Sequence, residues 1–350
     1  MVGAGKACTW AKRRCGSRVV HVVRASISTG KALSLAESTC LGDNGRTMSE
    51  LVFVNGRWIA ADEAGVPLTD GGFVQGTTIA EQLRTFGGRL FDFDEHIDRM
   101  DSSLAVLGLE PPMARSELRA AAERLVAHNH TLLNEGDDLG LSVFATPGAY
   151  PAYSRSATSQ PLLAMHTYPL PFRLWAEKYS RGQHLAVSSV RQVPSECWPA
   201  HVKCRSRMHY YLADREVARR YPGARAVLLD LDGFITEAST ANVLIYRHDE
   251  GLISPPLARV LPGVTLGRVF QLAEGIGLNA GYRNLTTADV AAADEVMLSS
   301  TPFCLLPVTR FEGRPVGDGT PGPVFSQLLG EWNRFVGIDI VAQAMRFAGR

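Results

Sequence analysis

With 350 residues, 45% of them hydrophobic and 20% charged, the chain has the composition of a soluble globular protein and the length for two domains with sizeable cores. A formal net charge of +1 gives no reason to expect nucleic acid or an anionic membrane surface as a partner, and no apolar run approaches the roughly 20 residues that span a bilayer. The six cysteines show neither a C-x-x-C pair nor a metal-ligand spacing, so a cytoplasmic protein without disulfides or a bound metal is expected.

Residues 1–48 differ from the rest. They are rich in serine and in Lys/Arg, with Glu37 and Asp43 as their acids. Val19-Val20-His21-Val22-Val23 is too short and broken for a signal-peptide core. A disordered basic extension, or a start placed upstream of Met48, is the reading taken; a transit-like segment also fits.

Leu51 to Ile59 reads as two short strands around Asn55-Gly56. Thr78 to Phe86 alternates as a strand, Gly87-Gly88 turns it, and Arg89 to Phe93 returns. Asp94 is placed to cap a helix to about Leu107, with Ile97, Met100, Leu104 and Leu107 on one face and Gly108 as the stop. Pro111-Pro112 breaks the chain before a second helix, Ser116 to His130. Leu139 to Ala145 and Pro161 to Tyr168 are strands. Residues 49–171 are therefore expected to form a small N-terminal α/β domain, with Pro169-Leu170-Pro171-Phe172-Arg173 as linker. In 172–350, the larger domain, strands are expected at His184–Val190, Ala226–Asp230, Phe234–Thr236, Asn242–Tyr246 and Glu295–Leu298. Helices are expected at Ser206–Arg220, after Pro262-Gly263, and from Pro323 onward, with a hairpin through Val308 to Val316.

Only five of the 36 basic residues are lysines. A lysine kept against that background is a candidate for chemistry closed to arginine: an amine can lose its proton and form a Schiff base, and a guanidinium cannot. Lys178 sits beside Glu177 as an ordinary surface charge. Lys203 follows the half-buried Trp198-Pro199-Ala200-His201-Val202 and opens a helical run.

No P-loop, G-x-G-x-x-G, HExxH or G-x-S-x-G is present. What remains has anion-site character. Gly263-Val264-Thr265 opens a helix, so its N–H groups face any phosphate placed there, although a plain helix start reads the same way. Ser300-Thr301 ends a strand with two hydroxyls that suit a phosphate or a turn. Arg99 lies opposite an apolar stripe, where a solvated cation also fits. Glu237 ends an apolar strand, where an unpaired carboxylate is costly to bury, unless a turn exposes it. Together these are the parts of a pyridoxal phosphate site: an amine, a carboxylate for the ring nitrogen and a phosphate cup.

The chain from about Leu51 to Trp332 resembles the class IV, fold-type IV, pyridoxal phosphate aminotransferases. That family holds branched-chain aminotransferases, D-amino acid aminotransferases and aminodeoxychorismate lyases. The matching segments run in order: Glu81-Gln82-Leu83-Arg84; His96-Ile97-Asp98-Arg99; Lys203; Asp232 to Glu237 with Asn242; Leu261-Pro262-Gly263-Val264-Thr265; and Asp294-Glu295 through Ser300-Thr301 to Pro307-Val308. The resemblance implies two α/β domains with mixed or antiparallel sheets and the active site between them, near the interface of a homodimer. It implies that Lys203 carries the cofactor as a Schiff base and shifts the proton. Glu237 would pair with the ring nitrogen and Leu261 would pack on the ring. Arg99, Thr265, Thr301 and the N–H groups of Val264, Thr265, Ser300 and Thr301 would hold the phosphate.

There are departures. A tyrosine that branched-chain enzymes place five residues past the lysine is here Met208, with Tyr210 and Tyr211 as substitutes to weigh. Pro302 has no N–H for a substrate carboxylate. Lys203-x-x-x-Arg207 and the Glu237, Ala241, Asn242 spacing resemble the lyases, whereas Glu81 to Arg84 resembles the transaminases. Arg84, Arg205 and Arg207 are the candidates for reading a carboxylate. The expected activity is transfer of an amino group from a branched-chain L-amino acid to a 2-oxo acid such as 2-oxoglutarate. Release of pyruvate from aminodeoxychorismate, D-amino acid transamination, and cofactor binding without turnover are the alternatives.

Overall fold

In the computed structural model, residues 49–154 and 160–349 are described; the readings of residues 1–48 lie outside them. Strands Leu51–Val54 and Arg57–Ala60 turn on Asn55 and Gly56, whose φ values of 45° and 79° are the two positive angles a tight hairpin turn demands. The first sheet has six strands in the order Arg57–Ala60, Leu51–Val54, Leu162–Pro169, Leu139–Thr146, Ile79–Phe86, Arg89–Leu90, and every pairing is antiparallel. Helices Phe93–Val106 and Arg115–His130 cover one face. Their Ile97, Met100, Leu104 and Leu125 pack with Leu83, Leu141 and Met165.

The first helix does not start on Asp94. Asp92 takes the N-cap position at φ 47° without a capping bond, because its carboxylate accepts from Arg268 Nη2 at 2.6 Å. Asp94 sits in the first turn and pairs with Arg119.

A nine-stranded mixed sheet follows. Its order is Ala280–Tyr282, Gly251–Ser254, Ala241–Arg247, Glu295–Ser300, Cys304–Phe311, Gln183–Arg191, Arg225–Leu229, Ile235–Ala238, with Arg314–Pro315 beside Cys304–Phe311. The pairs of Gln183–Arg191 with both its neighbours are parallel. Ile235–Ala238 also pairs with Ala241–Arg247, which closes six of these strands into a ring. Strands Gly251–Ser254 and Ala280–Tyr282 escaped the sequence reading: one is four residues long and the other three. The C-terminal segment is two helices, Pro323–Val336 and Ile340–Arg346. Gly337 at φ 71° stops the first and Asp339 caps the second through Ala342 N–H.

Leu170 and Phe172 are fully buried in the core of this second sheet, so the segment read as a linker is packed. The helix after the lysine begins at Met208, two residues later than its pattern indicated, leaving Lys203 in the loop ahead of it. Among the described residues no helix is long and apolar enough to cross a membrane.

Candidate active site

Successive residues of a strand face opposite sides of the sheet, and the strand Ile79–Phe86 uses both. Ile79 and Leu83 enter the core under the helices, and Glu81 shares their face. There Glu81 meets Arg99 of the covering helix: Nε donates to Oε1 at 2.8 Å and Nη2 to Oε2 at 2.7 Å. His96 Nδ1 lies 2.7 Å from the same Oε2. Burial works against the Glu81 charge, but Arg99 and His96 overcome it and hold the carboxyl well below the usual range. Arg99 is thus buried, not solvated, and its Nη1 donates to Pro262 O at 2.8 Å.

Lys203 is clamped through its backbone. Ala80 N–H donates to Lys203 O at 3.0 Å and Arg205 N–H to Thr78 O at 2.9 Å. Lys203 N–H donates to Ser103 Oγ at 3.2 Å, and that hydroxyl donates to Arg99 O at 2.9 Å. The side chain lines a cavity shared with both sheets. Burial pushes the amine down to about 7; Glu81 opposes this, and Arg207, Arg99 and Arg205 reinforce it. A lysine so placed gives up its proton far more readily than a free one, as a nucleophile or base must.

Glu237 lies on the strand Ile235–Ala238, in the wall of the same cavity. Burial pushes its carboxyl up to about 7, against hydrogen bonds from Tyr210 and Leu261 N–H. Gln192 Nε2 also donates to it, at 2.8 Å. The helix Val264–Gly275 opens on Gly263 with no side chain capping it, so its first N–H groups and its dipole are left for an anion. Asn242 Nδ2 donates to Leu261 O at 2.8 Å and fixes the turn into that helix. A Cβ at Gly263 would stand 2.1 Å from Asn242 Oδ1, so any other residue there displaces that side chain or the helix start. Thr265 and Thr301 bring their hydroxyls within 3.3 Å of each other. Ser300 spends its hydroxyl on Thr240 O at 3.0 Å.

Of the residues singled out in the sequence, Lys203, Glu237, Arg99, Leu261, Val264, Thr265, Ser300, Thr301 and Arg207 line this one cavity. Two carboxylate-reading candidates do not. Arg84 points away from Glu81's face and is fully buried. Its guanidinium is consumed by Thr85 O, Pro302 O, Cys304 Sγ and Gln343 Oε1, and it lies over the Phe86 ring. Arg205 is exposed and gives Nη2 to Ser142 Oγ at 2.8 Å. Arg207 is half-buried, and no carboxylate among the described residues pairs with it. Met208 is 68% exposed and Tyr211 58%, so neither enters the cavity, whereas Tyr210 does.

Sequence reading missed Glu81, His96, Gln192 and Ser103 as site supports. Glu81 had a usable signal: a carboxylate on the apolar side of a strand requires a buried cation. Gln192 had none, because it follows the strand Gln183–Arg191 and meets Glu237 only through sheet closure.

A lysine with its amine pushed down by burial, a buried carboxylate and an uncapped helix start thus share one cavity, an arrangement that suits an amine nucleophile and a phosphorylated ligand. The sequence pattern of the amino-transferase class IV family matches residues 78–311, and the chain belongs to that family. It is 29% identical over 274 residues to the D-alanine aminotransferase of Bacillus licheniformis, covering 78% of this chain and 92% of that one. Its fold matches the branched-chain amino acid aminotransferase of Escherichia coli at a TM-score of 0.75 and 24% identity, over 83% of this chain and 94% of the other. The branched-chain amino acid aminotransferase of Thermobaculum terrenum, solved in its PLP-form, matches at a TM-score of 0.71 and 23% identity, over 86% and 97%. At those identities the structural likeness is one of fold.

Proposed function

We propose that this aminotransferase uses pyridoxal 5'-phosphate to move an amino group from an aliphatic L-amino acid, of the branched-chain class, to a 2-oxo acid such as 2-oxoglutarate. The observation that carries the reading is Lys203 and Glu237 in the walls of one cavity, with pKa values both brought to about 7 from opposite directions. The residues fit the cofactor. The cradle at Gly263, the uncapped helix start and the hydroxyls of Thr265 and Thr301 suit its phosphate, and the buried carboxyl of Glu237 suits a ring nitrogen.

When bound, the cofactor supplies an electron sink that acidifies the hydrogen on the substrate's α-carbon. Lys203 Nζ, poised near neutrality, takes that proton and returns it. Arg99, fixed by Glu81, holds its position beside Pro262 without drifting toward the amine. Arg207, a cation without an ion-pair partner among the described residues, reads the substrate carboxylate. Trp198, Val193 and Val202 add an apolar wall suited to an aliphatic side chain.

The sequence likeness to D-alanine aminotransferases favours a second reading, with a D-amino acid as donor. A homodimer accompanies either one; Met208, Tyr211 and Leu212, exposed on the helix that also carries Tyr210, support it. The test is a panel of L-leucine, L-valine, L-isoleucine and D-alanine with 2-oxoglutarate or pyruvate as acceptor. Turnover of the branched-chain L-amino acids is the expected result. Turnover of D-alanine alone moves the assignment to the second reading. Pyruvate release from aminodeoxychorismate without any transamination, or no conversion at all, rejects both.

A further inference from the structure

Glu237 collects donors from three separate elements. Gln192, just past the strand Gln183–Arg191, gives its amide to Oε1 at 2.8 Å. Leu261 N–H reaches the same oxygen at 3.4 Å. Tyr210, from the first turn of the helix Met208–Arg220, sets its hydroxyl beside the carboxyl and holds that group's pKa down. Gln192 Nε2 also reaches Tyr210 Oη at 3.4 Å, while its own Oε1 stays buried without a partner. A buried amide that leaves its acceptor unsatisfied is costly, and what it serves here is the acid and the hydroxyl beside it.

We propose that Tyr210 and Gln192 are positioning residues that keep Glu237 ionised against its burial, so that it accepts a hydrogen bond from the ring nitrogen of the bound cofactor instead of donating one. The inference rests on the pyridoxal phosphate reading above. Burial favours the neutral acid, and even with these donors in place the carboxyl stands at about 7. The charged groups acting on it are Lys203 and Arg207, both in the same sense as the donors. Tyr210 remains a donor throughout, because burial and the nearby Glu237 charge push its hydroxyl well above the ordinary range. Remove either donor and the shared proton moves from the ring nitrogen to the carboxyl.

The test loads the protein with pyridoxal phosphate carrying 15N in the ring and reads the ring-nitrogen NMR shift at neutral pH. Wild type, Tyr210→Phe, Gln192→Leu and the double variant are compared, and borohydride labelling locates the attached lysine in each. The wild-type signal is expected at the protonated position, each single variant moving it toward the unprotonated one and the double variant moving it further. Tyr210→Phe removes one oxygen and keeps the packing, so it stands as an independent arm if Gln192→Leu does not fold. Labelling at Lys203 with an unmoved ring signal overturns this proposal alone. Labelling elsewhere, or nowhere, in the wild type removes the cofactor reading and this proposal with it.

Discussion

Glu81 grips Arg99 through both carboxylate oxygens, at 2.8 and 2.7 Å, with Glu81 fully buried and Arg99 reaching solvent only where it lines the cavity. Removing one member of such a pair strands the other charge, at a cost of about 3–5 kcal/mol. Glu81→Gln is therefore expected to lower the unfolding midpoint and to weaken cofactor binding, because Arg99 loses its orientation. Denaturant unfolding and equilibrium dialysis of the cofactor read the two effects. The carboxyl lies below its ordinary 4.5 when folded. Its stabilisation is thus present above pH 4.5 and fades as the pH falls below it.

Lys203 shows the same pH slope in a higher window, from a charge that destabilises the fold. Its folded value, about 7, lies below the ordinary 10.5, so the folded protein binds fewer protons and loses stability as the pH falls from 10.5 toward 7. Lys203→Met in cofactor-free protein should raise the thermal midpoint, most clearly at pH 7 and below, while abolishing transamination. A midpoint that falls at every pH contradicts that linkage.

Arg207 and Arg84 separate by kinetics. Arg207→Gln removes a charge-assisted contact of about 1.5–3 kcal/mol, so kcat/KM for amino acids should fall roughly 10- to 150-fold. An amine lacking the carboxylate should be little affected. Arg84→Met instead leaves Pro302 O and Gln343 Oε1 without their donor. It should lower stability by about 1–3 kcal/mol per orphaned group and change KM little. Steady-state kinetics on matched acid and amine donors, together with melting curves, test both.

Gly263→Ala places a methyl group 2.1 Å from Asn242 Oδ1, which no rotamer of alanine avoids. The Asn242–Leu261 bond must break or the helix start must move. A loss of tenfold or more in cofactor affinity is expected, about 1.4 kcal/mol, and titration of the cofactor-free variant by absorbance measures it.

Local pattern carried the hairpin at Asn55-Gly56, the helix over Ser116–His130 and the lysine, because turn chemistry, 3.6-residue periodicity and a scarce residue type are visible in one dimension. Arg99 was readable as a solvated charge because its counter-ion sits 18 residues earlier on a strand. Asp94 looked like the cap because nothing local shows that Asp92, bound to Arg268 from 176 residues away, occupies that position. Arg84 looked like a substrate reader for a similar reason: Pro302, Cys304 and Gln343, which consume it, lie more than 200 residues downstream. The ordered family segments supplied the cavity's membership; distance in sequence hid the residues that hold it in shape.

Ser103 turns one hydroxyl into a ruler. Because the same oxygen touches the arginine's carbonyl on one side and the lysine's amide on the other, any rocking of that helix carries the anchor and the reactive amine together. The spacing between them is set through one side chain, and a ligand that stretches from one to the other meets that gauge.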